Sequence, residues 1–155
     1  MIKLLFICHG NICRSPMAEF VFKDMVSKRG LESNFQIASA ATSREEIGNP
    51  VHPGTREKLA QYGISTAGKR ARQMTKQDYE QYHYIIGMDD WNVRNILRML
   101  GGDPQHKVFK LLDFTERGGE IADPWYTGDF NMTYTDVVEG CEGLLKRLFL
   151  DNEIG

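Results

Sequence analysis

Cysteine is scarce in this chain: there are three, an odd number without the spacing of a disulfide framework. A small fold stapled by bridges is therefore excluded, and a reducing, cytoplasmic setting is expected. Long apolar runs are missing. The stretch from Met1 to Cys8 is too short to span a bilayer or serve as a secretory leader, and Gly10, Asn11 and Arg14 follow at once. An excess of one charge is missing as well. With 19 basic and 21 acidic residues the formal net charge is -2, which argues against nucleic-acid binding through bulk positive potential and against a membrane partner. There is no internal repeat, low-complexity tract or linker, so the 155 residues are read as one domain, 1–155, with one core. His9, His52, His83 and His106 form no cluster, and Cys8, His9 and Cys13 lack a fourth ligand at ordinary spacing, so no metal site is expected.

What is present is an alternation of strand-like and helix-like segments. Apolar stretches at Ile2 to Ile7, Phe35 to Ala40, Tyr84 to Met88 and Val108 to Leu111 read as four strands. Helical patterns run over Pro16 to Arg29, Thr55 to Tyr62, Asp90 to Leu100 and Thr133 to Leu150. A short helix ending at Gln81 is announced by a capping box of Thr75 with Asp78. Thr42 to Gly54 and Arg117 to Asp129 read as loops, and Ala71 to Met74 as an irregular connection. Cys141 falls with Val137, Val138 and Leu144 on an apolar helix face and reads as core. The pattern predicts an α/β fold, a three-layer sandwich with a central four-stranded parallel sheet flanked by helices. Such sheets bind ligands outside the carboxyl ends of their strands.

At that end of the first strand lies Cys8-His9-Gly10-Asn11-Ile12-Cys13-Arg14-Ser15-Pro16. A cysteine and an arginine bracket five residues on a strand–loop–helix turn. Such a loop directs backbone N–H groups at an anion, and the following helix N-terminus adds partial positive charge. Arg14 brings a planar fork matched to phosphate oxygens, and the same field favours a Cys8 thiolate. Gly10 permits a tight turn or a close backbone approach. Asn11 tolerates a left-handed backbone, and Ser15 and Pro16 suit the N-cap and first position of a helix. The candidate phosphate cradle is thus His9, Gly10, Asn11, Ile12, Cys13 and Arg14. A C-x5-R spacing alone is weak, and a strand-end thiol is the plain alternative for Cys8.

Phosphoryl transfer through a cysteine requires an acid for the leaving oxygen and then a base for water, and one carboxyl can serve both steps. Asp123 is the candidate, in Ala122-Asp123-Pro124-Trp125-Tyr126. Pro124 stiffens the chain after it and biases it toward an extended conformation. A simple Asp-Pro turn is the alternative.

Cys8 to Pro16 together with Asp123-Pro124-Trp125-Tyr126 resembles the low-molecular-weight protein tyrosine phosphatases, and the likeness extends over nearly the whole chain: Ser39 to Ser43, Gly48-Asn49-Pro50, Arg70 to Gln73, and Met88-Asp89 with Asn92. The resemblance implies a phosphatase I-like fold. It also implies hydrolysis of a phosphotyrosine protein or peptide to inorganic phosphate through phosphocysteine, with no metal and no organic cofactor, by a monomer or weak dimer. It makes Cys8 the nucleophile, Arg14 the phosphate clamp, Ser15 the hydrogen-bond partner of the Cys8 sulfur, and Asp123 the acid and then base. Asn11 would brace the loop with Ser39, and Asp89 would lend support. Glu45, Glu46, Trp125 and Tyr126 would border the substrate pocket. Cys13 either packs beneath the loop or acts as a resolving thiol that traps oxidised Cys8 as a disulfide.

Several positions depart from the family pattern. His9 replaces a small or apolar residue and is expected to face solvent. Arg44-Glu45-Glu46 stands where an aromatic wall is common, which predicts weaker binding of small aryl phosphates or a preference for basic flanks on a phosphoprotein. Some relatives carry a histidine where Gly68 stands. Lys69, Arg70 and Arg72 form a short basic run, read as a solvated segment or an attractor of acidic phosphoproteins. Arsenate reduction on the same scaffold would need two further cysteines in a mobile segment, and Thr75 to Leu100 has none. An arginine phosphatase would resemble this chain with threonine in place of Ile12. A non-catalytic phosphopeptide-binding or redox module is opposed by the intact set Cys8, Arg14, Ser15 and Asp123.

Overall fold

The structure, a computed structural model, describes residues 1–151. Strands β1 (Ile2–Cys8), β2 (Phe35–Ala41), β3 (Tyr84–Gly87) and β4 (Val108–Lys110) form one sheet in the order β2-β1-β3-β4. All pairings are parallel. Helices α1 (Arg14–Ser27), α2 (Pro53–Ala60), α3 (Lys76–Gln81), α4 (Asp90–Leu100), α5 (Pro124–Thr127) and α6 (Phe130–Leu150) complete the fold. No helix of the described residues is long and apolar enough to cross a membrane.

The central strand explains the three layers. Leu4, Leu5, Phe6 and Ile7 of β1 are all fully buried, as a strand covered on both faces requires. Leu4 and Phe6 join Phe22, Leu144 and Leu148 beneath α1 and α6, whereas Leu5 and Ile7 join Tyr79, Tyr82 and Ile96 beneath α3 and α4. Cys141 is buried in the first of these cores. The register pairs Ile7 with Gly87 of β3 and Cys8 with Ala41 of β2, so Cys8 sits just beyond the end of β3. Gly140 and Gly143 let α6 close on the segment after β4. A Cβ on Gly143 would lie 2.4 Å from the Phe114 carbonyl oxygen.

The four strands and five longer helices fall where the pattern predicts, α4 with identical ends and α3 with the Thr75–Asp78 capping box. Three expectations are corrected. Ser15 is not the N-cap of α1, nor Pro16 its first residue: the helix begins at Arg14 and has no side-chain cap, because the Ser15 hydroxyl is spent on Cys8 and Asn11. The segment Arg117 to Asp129 is not all loop, since Asp123 caps the single turn α5. The second helix starts earlier, at Pro53, because the His52 ring accepts the Gly54 N–H at 3.0 Å.

Candidate active site

The loop from Cys8 to Arg14 is held by its carbonyls. Cys8 C=O accepts from Thr42 N–H, His9 C=O from Ser43 N–H and hydroxyl, Ile12 C=O from His52 N–H, and Cys13 C=O from the Met17 N–H and the Thr55 hydroxyl. In a trans peptide the next N–H points opposite to the carbonyl. The N–H groups of His9, Gly10, Cys13 and Arg14 therefore point away from these anchors. Asn11 adopts φ 59°, the left-handed turn anticipated for it. The part played by Gly10 is packing: a Cβ there would meet Glu46 Cγ at 3.3 Å.

Cys8 Sγ lies 3.0 Å from Ser15 Oγ and receives the backbone N–H groups of Asn11 at 3.3 Å and Ser15 at 3.4 Å. Behind it, Asn11 Nδ2 donates to Ser15 Oγ at 2.8 Å and to Ser39 Oγ at 2.9 Å. Arg14 is 4% exposed. Its NH1 donates to Asp89 Oδ2 at 2.8 Å and to the Ile121 carbonyl at 3.1 Å, and its NH2 stands 3.4 Å from Asp123 Oδ2. Burial alone would weaken the guanidinium's hold on its proton, but Cys8, Asp89 and Asp123 reverse the balance and push it above the ordinary arginine value. Arg14 is a fixed cation.

The acid candidate is clamped from α6. Ala122 N–H donates to Asp136 Oδ2 at 2.9 Å, and Ala122 C=O accepts the Thr133 hydroxyl at 2.8 Å. Arg117 holds Asp136 and Glu139 in turn. Asp123 Oδ1 accepts the Trp125 N–H at 3.0 Å.

These residues border a cavity of about 490 Å³ lined by Cys8, His9, Gly10, Ile12, Cys13, Arg14, Glu45, Glu46, Asp89, Asp123, Trp125 and Tyr126, joined by Trp91 and Asn92. Asn11 and Ser15 stand behind the sulfur rather than in the cavity. Trp125 and Tyr126 are largely exposed at the rim. His9 faces solvent as expected, and its Nε2 pairs with the exposed Glu45 Oε2 at 3.0 Å. Cys13 is buried, and burial, then the neighbouring Cys8 and Asp123, pushes its thiol up to about 12. Among the described residues no three His, Cys, Asp or Glu side chains gather as a metal site.

Sequence reasoning missed four groups. Trp91, at the start of α4, adds aromatic surface to the cavity lining. Thr133 and Asp136 clamp the acid loop. Glu19, 4% exposed on α1, accepts the Ser39 hydroxyl at 2.5 Å and Lys23 Nζ at 2.6 Å. Lys69 Nζ reaches the Ser39 carbonyl at 2.8 Å and lies 3.6 Å from Glu19, so the basic run is not wholly solvated. A buried glutamate and a largely covered lysine were the signal, but only coordinates reveal burial.

Comparison with known proteins agrees with this geometry. The chain is 41% identical over 156 residues to the low molecular weight protein-tyrosine-phosphatase YfkJ of Bacillus subtilis, covering 99% of this chain and 100% of that one. The crystal structure of YfkJ superposes with a TM-score of 0.94 at 42% identity, covering 98% of this chain and 97% of the other. A Drosophila arginine phosphatase superposes with a TM-score of 0.85 at 30% identity, covering 94% and 97%. The family described as low molecular weight phosphotyrosine protein phosphatase matches residues 3–153, and the chain belongs to that family of protein tyrosine phosphatases.

Proposed function

We propose that the chain, acting as one domain, hydrolyses phosphotyrosine in a protein or peptide through a phosphocysteine intermediate. The observation that carries the reading is the Cys8 sulfur, surrounded by three hydrogen-bonding groups on the floor of a cavity that also holds Arg14 and Asp123. The thiolate attacks phosphorus while the P–O bond to the phenol breaks, and Asp123 delivers its proton to the departing oxygen. Arg14 and the N–H groups of the loop from His9 to Arg14 hold the equatorial oxygens and stabilise their charge. Asp123, now a carboxylate, takes a proton from water. The water oxygen bonds to phosphorus, the S–P bond breaks, and inorganic phosphate leaves. Ser15 receives the returning thiolate. Trp125 and Tyr126 flank the entering ring, with Glu45 and Glu46 opposite.

The test is phosphate release from matched phosphotyrosine, phosphoserine and phosphoarginine peptides, without metal and with reductant, for the wild type and Cys8→Ser. Release from phosphotyrosine that vanishes in Cys8→Ser supports the reading. Preferential release from phosphoarginine would keep the mechanism and replace the substrate, and release independent of Cys8 would overturn the intermediate.

A further inference from the structure

Trp91 breaks the pattern of its own helix. Along α4 the inward positions include Asn92 and Ile96, both fully buried, while Trp91, Arg94 and Arg98 follow one another along the exposed face. A tryptophan thus stands in line with two arginines. It is 53% exposed and joins neither hydrophobic core, so the fold gains little from it. The Arg94 guanidinium lies over its ring, 5.6 Å from the centroid.

The backbone beneath that ring is fixed. Asp89 is tied to Arg14 and accepts the Asn92 N–H. Asn92 Oδ1 accepts the Met88 N–H at 3.0 Å. A Cβ on Gly87 would lie 3.1 Å from Asn92 Cβ, so the end of β3 runs close against the same turn. The first turn of α4 is therefore anchored to the guanidinium of the site, and Trp91, within that turn, borders the cavity that holds Cys8 and Arg14. A tryptophan side chain has only two torsions, and the arginine stacked on it restrains them, so little freedom is lost when a ligand settles there.

The rest of the cavity decides what that ligand is. Trp91, Trp125 and Tyr126 are its aromatic lining residues, all exposed, and they come from two elements, α4 and α5. Exposed apolar surface gathered at one cavity, rather than scattered, marks a contact surface. Trp125 and Tyr126 follow Asp123 directly and so stand beside the phenol that Asp123 protonates. The Glu45 segment offers charge instead: Glu45 pairs with His9, and Glu46 accepts Asn49 Nδ2 at 2.6 Å. A group reaching the floor passes Asp89 and Asn92, the inner members of the α4 turn. Trp91 faces outward from that turn and is left for the residue next to the phosphotyrosine.

We propose that Trp91 is a specificity-determining residue: its exposed ring takes a large apolar side chain adjacent to the phosphotyrosine of the substrate protein or peptide. The inference rests on the phosphotyrosine reading above and deepens it by naming the neighbour that the same site selects.

The experiment compares matched phosphotyrosine peptides with serine on both sides against versions with phenylalanine at one adjacent position or the other. kcat and KM are measured for the wild type, and Kd by calorimetry on Cys8→Ser, which needs no turnover. Phenylalanine at one of the two positions raises kcat/KM about tenfold, through KM rather than kcat, and tightens binding to Cys8→Ser by a similar factor, the size expected for one buried aromatic pair. In Trp91→Ser the advantage disappears, and Trp91→Phe restores most of it. An advantage that persists in Trp91→Ser, or that is absent from the wild type at both positions, overturns the proposal. So does an equal loss for the serine and phenylalanine peptides in Trp91→Ser, which would place Trp91 against the phosphotyrosine ring itself. A wild type that hydrolyses none of the peptides strikes the phosphotyrosine reading and the proposal with it, whereas hydrolysis with no phenylalanine advantage strikes the proposal alone.

Discussion

Arg14 and Asp89 meet through a single bond, NH1 to Oδ2 at 2.8 Å, while the other oxygen of Asp89 accepts the Asn92 N–H at 2.7 Å and caps α4. One carboxylate therefore anchors the Arg14 guanidinium and starts a helix on the far side of the sheet. Asp89→Asn separates the two duties, because asparagine caps as well as aspartate but does not neutralise a buried guanidinium. The variant is expected to lose about 3 kcal/mol of stability and to bind orthovanadate more weakly. Denaturant melts and vanadate titration check this, and a wild-type vanadate affinity would remove Asp89 from the site.

Asp123 holds Trp125 N–H with one oxygen and faces Arg14 with the other. Asp123→Asn retains the cap and cannot deliver or take a proton. Turnover of a phosphotyrosine peptide should fall by about 100- to 10,000-fold, and vanadate binding should persist. Loss of vanadate binding together with turnover would reassign Asp123 to ligand binding.

The three cysteines are all buried but differ in surroundings. Burial pushes the Cys13 thiol up to about 12 and raises Cys141 as well. An acid whose value is raised stays protonated until the pH approaches it, so Cys13 and Cys141 remain thiols throughout the neutral range. Iodoacetamide at pH 7 should add one equivalent, at Cys8, as read by mass spectrometry of peptides. Peroxide should then convert Cys8 to a sulfenic acid whose partner, if Cys13 resolves it, appears as a Cys8–Cys13 linkage in peptide maps. Sulfinic acid at Cys8 without that linkage would leave Cys13 a packing residue.

At Gly143 the helix α6 touches backbone, not a movable side chain. Gly143→Ala would ordinarily stabilise a helix, yet here it should destabilise by about 1–3 kcal/mol. A raised melting temperature would show that the segment at Phe114 yields.

The layers were legible in the sequence because β1 carries an unbroken apolar run and the helices carry caps and glycine stops that are local in the chain. Cys8, Arg14 and Asp123 were legible for a similar reason, since a strand–loop–helix turn and an Asp-Pro step each announce themselves within a few residues. Ser15 misled because serine before proline is a good cap in isolation, whereas a sulfur seven residues earlier outcompetes the helix for its hydroxyl. Glu19, Lys69, Trp91 and Asp136 were hidden because each acts across the fold. Glu19 reaches Ser39 and Asp136 reaches Ala122, and no local pattern distinguishes either from a solvated charge.

Arg14 is tied to the Ile121 carbonyl, and Ala122 is tied to α6, so the two halves of the site come from opposite ends of the chain. Synthesis proceeds from the amino terminus at about 5–20 residues per second. The ribosome makes the nucleophile loop long before the helix that steadies the acid. For a time on the order of ten seconds the nascent protein carries its cysteine and arginine without their catalytic counterpart. The acid loop is steadied only when the last helix docks, so the sixth helix, made last, completes the pocket.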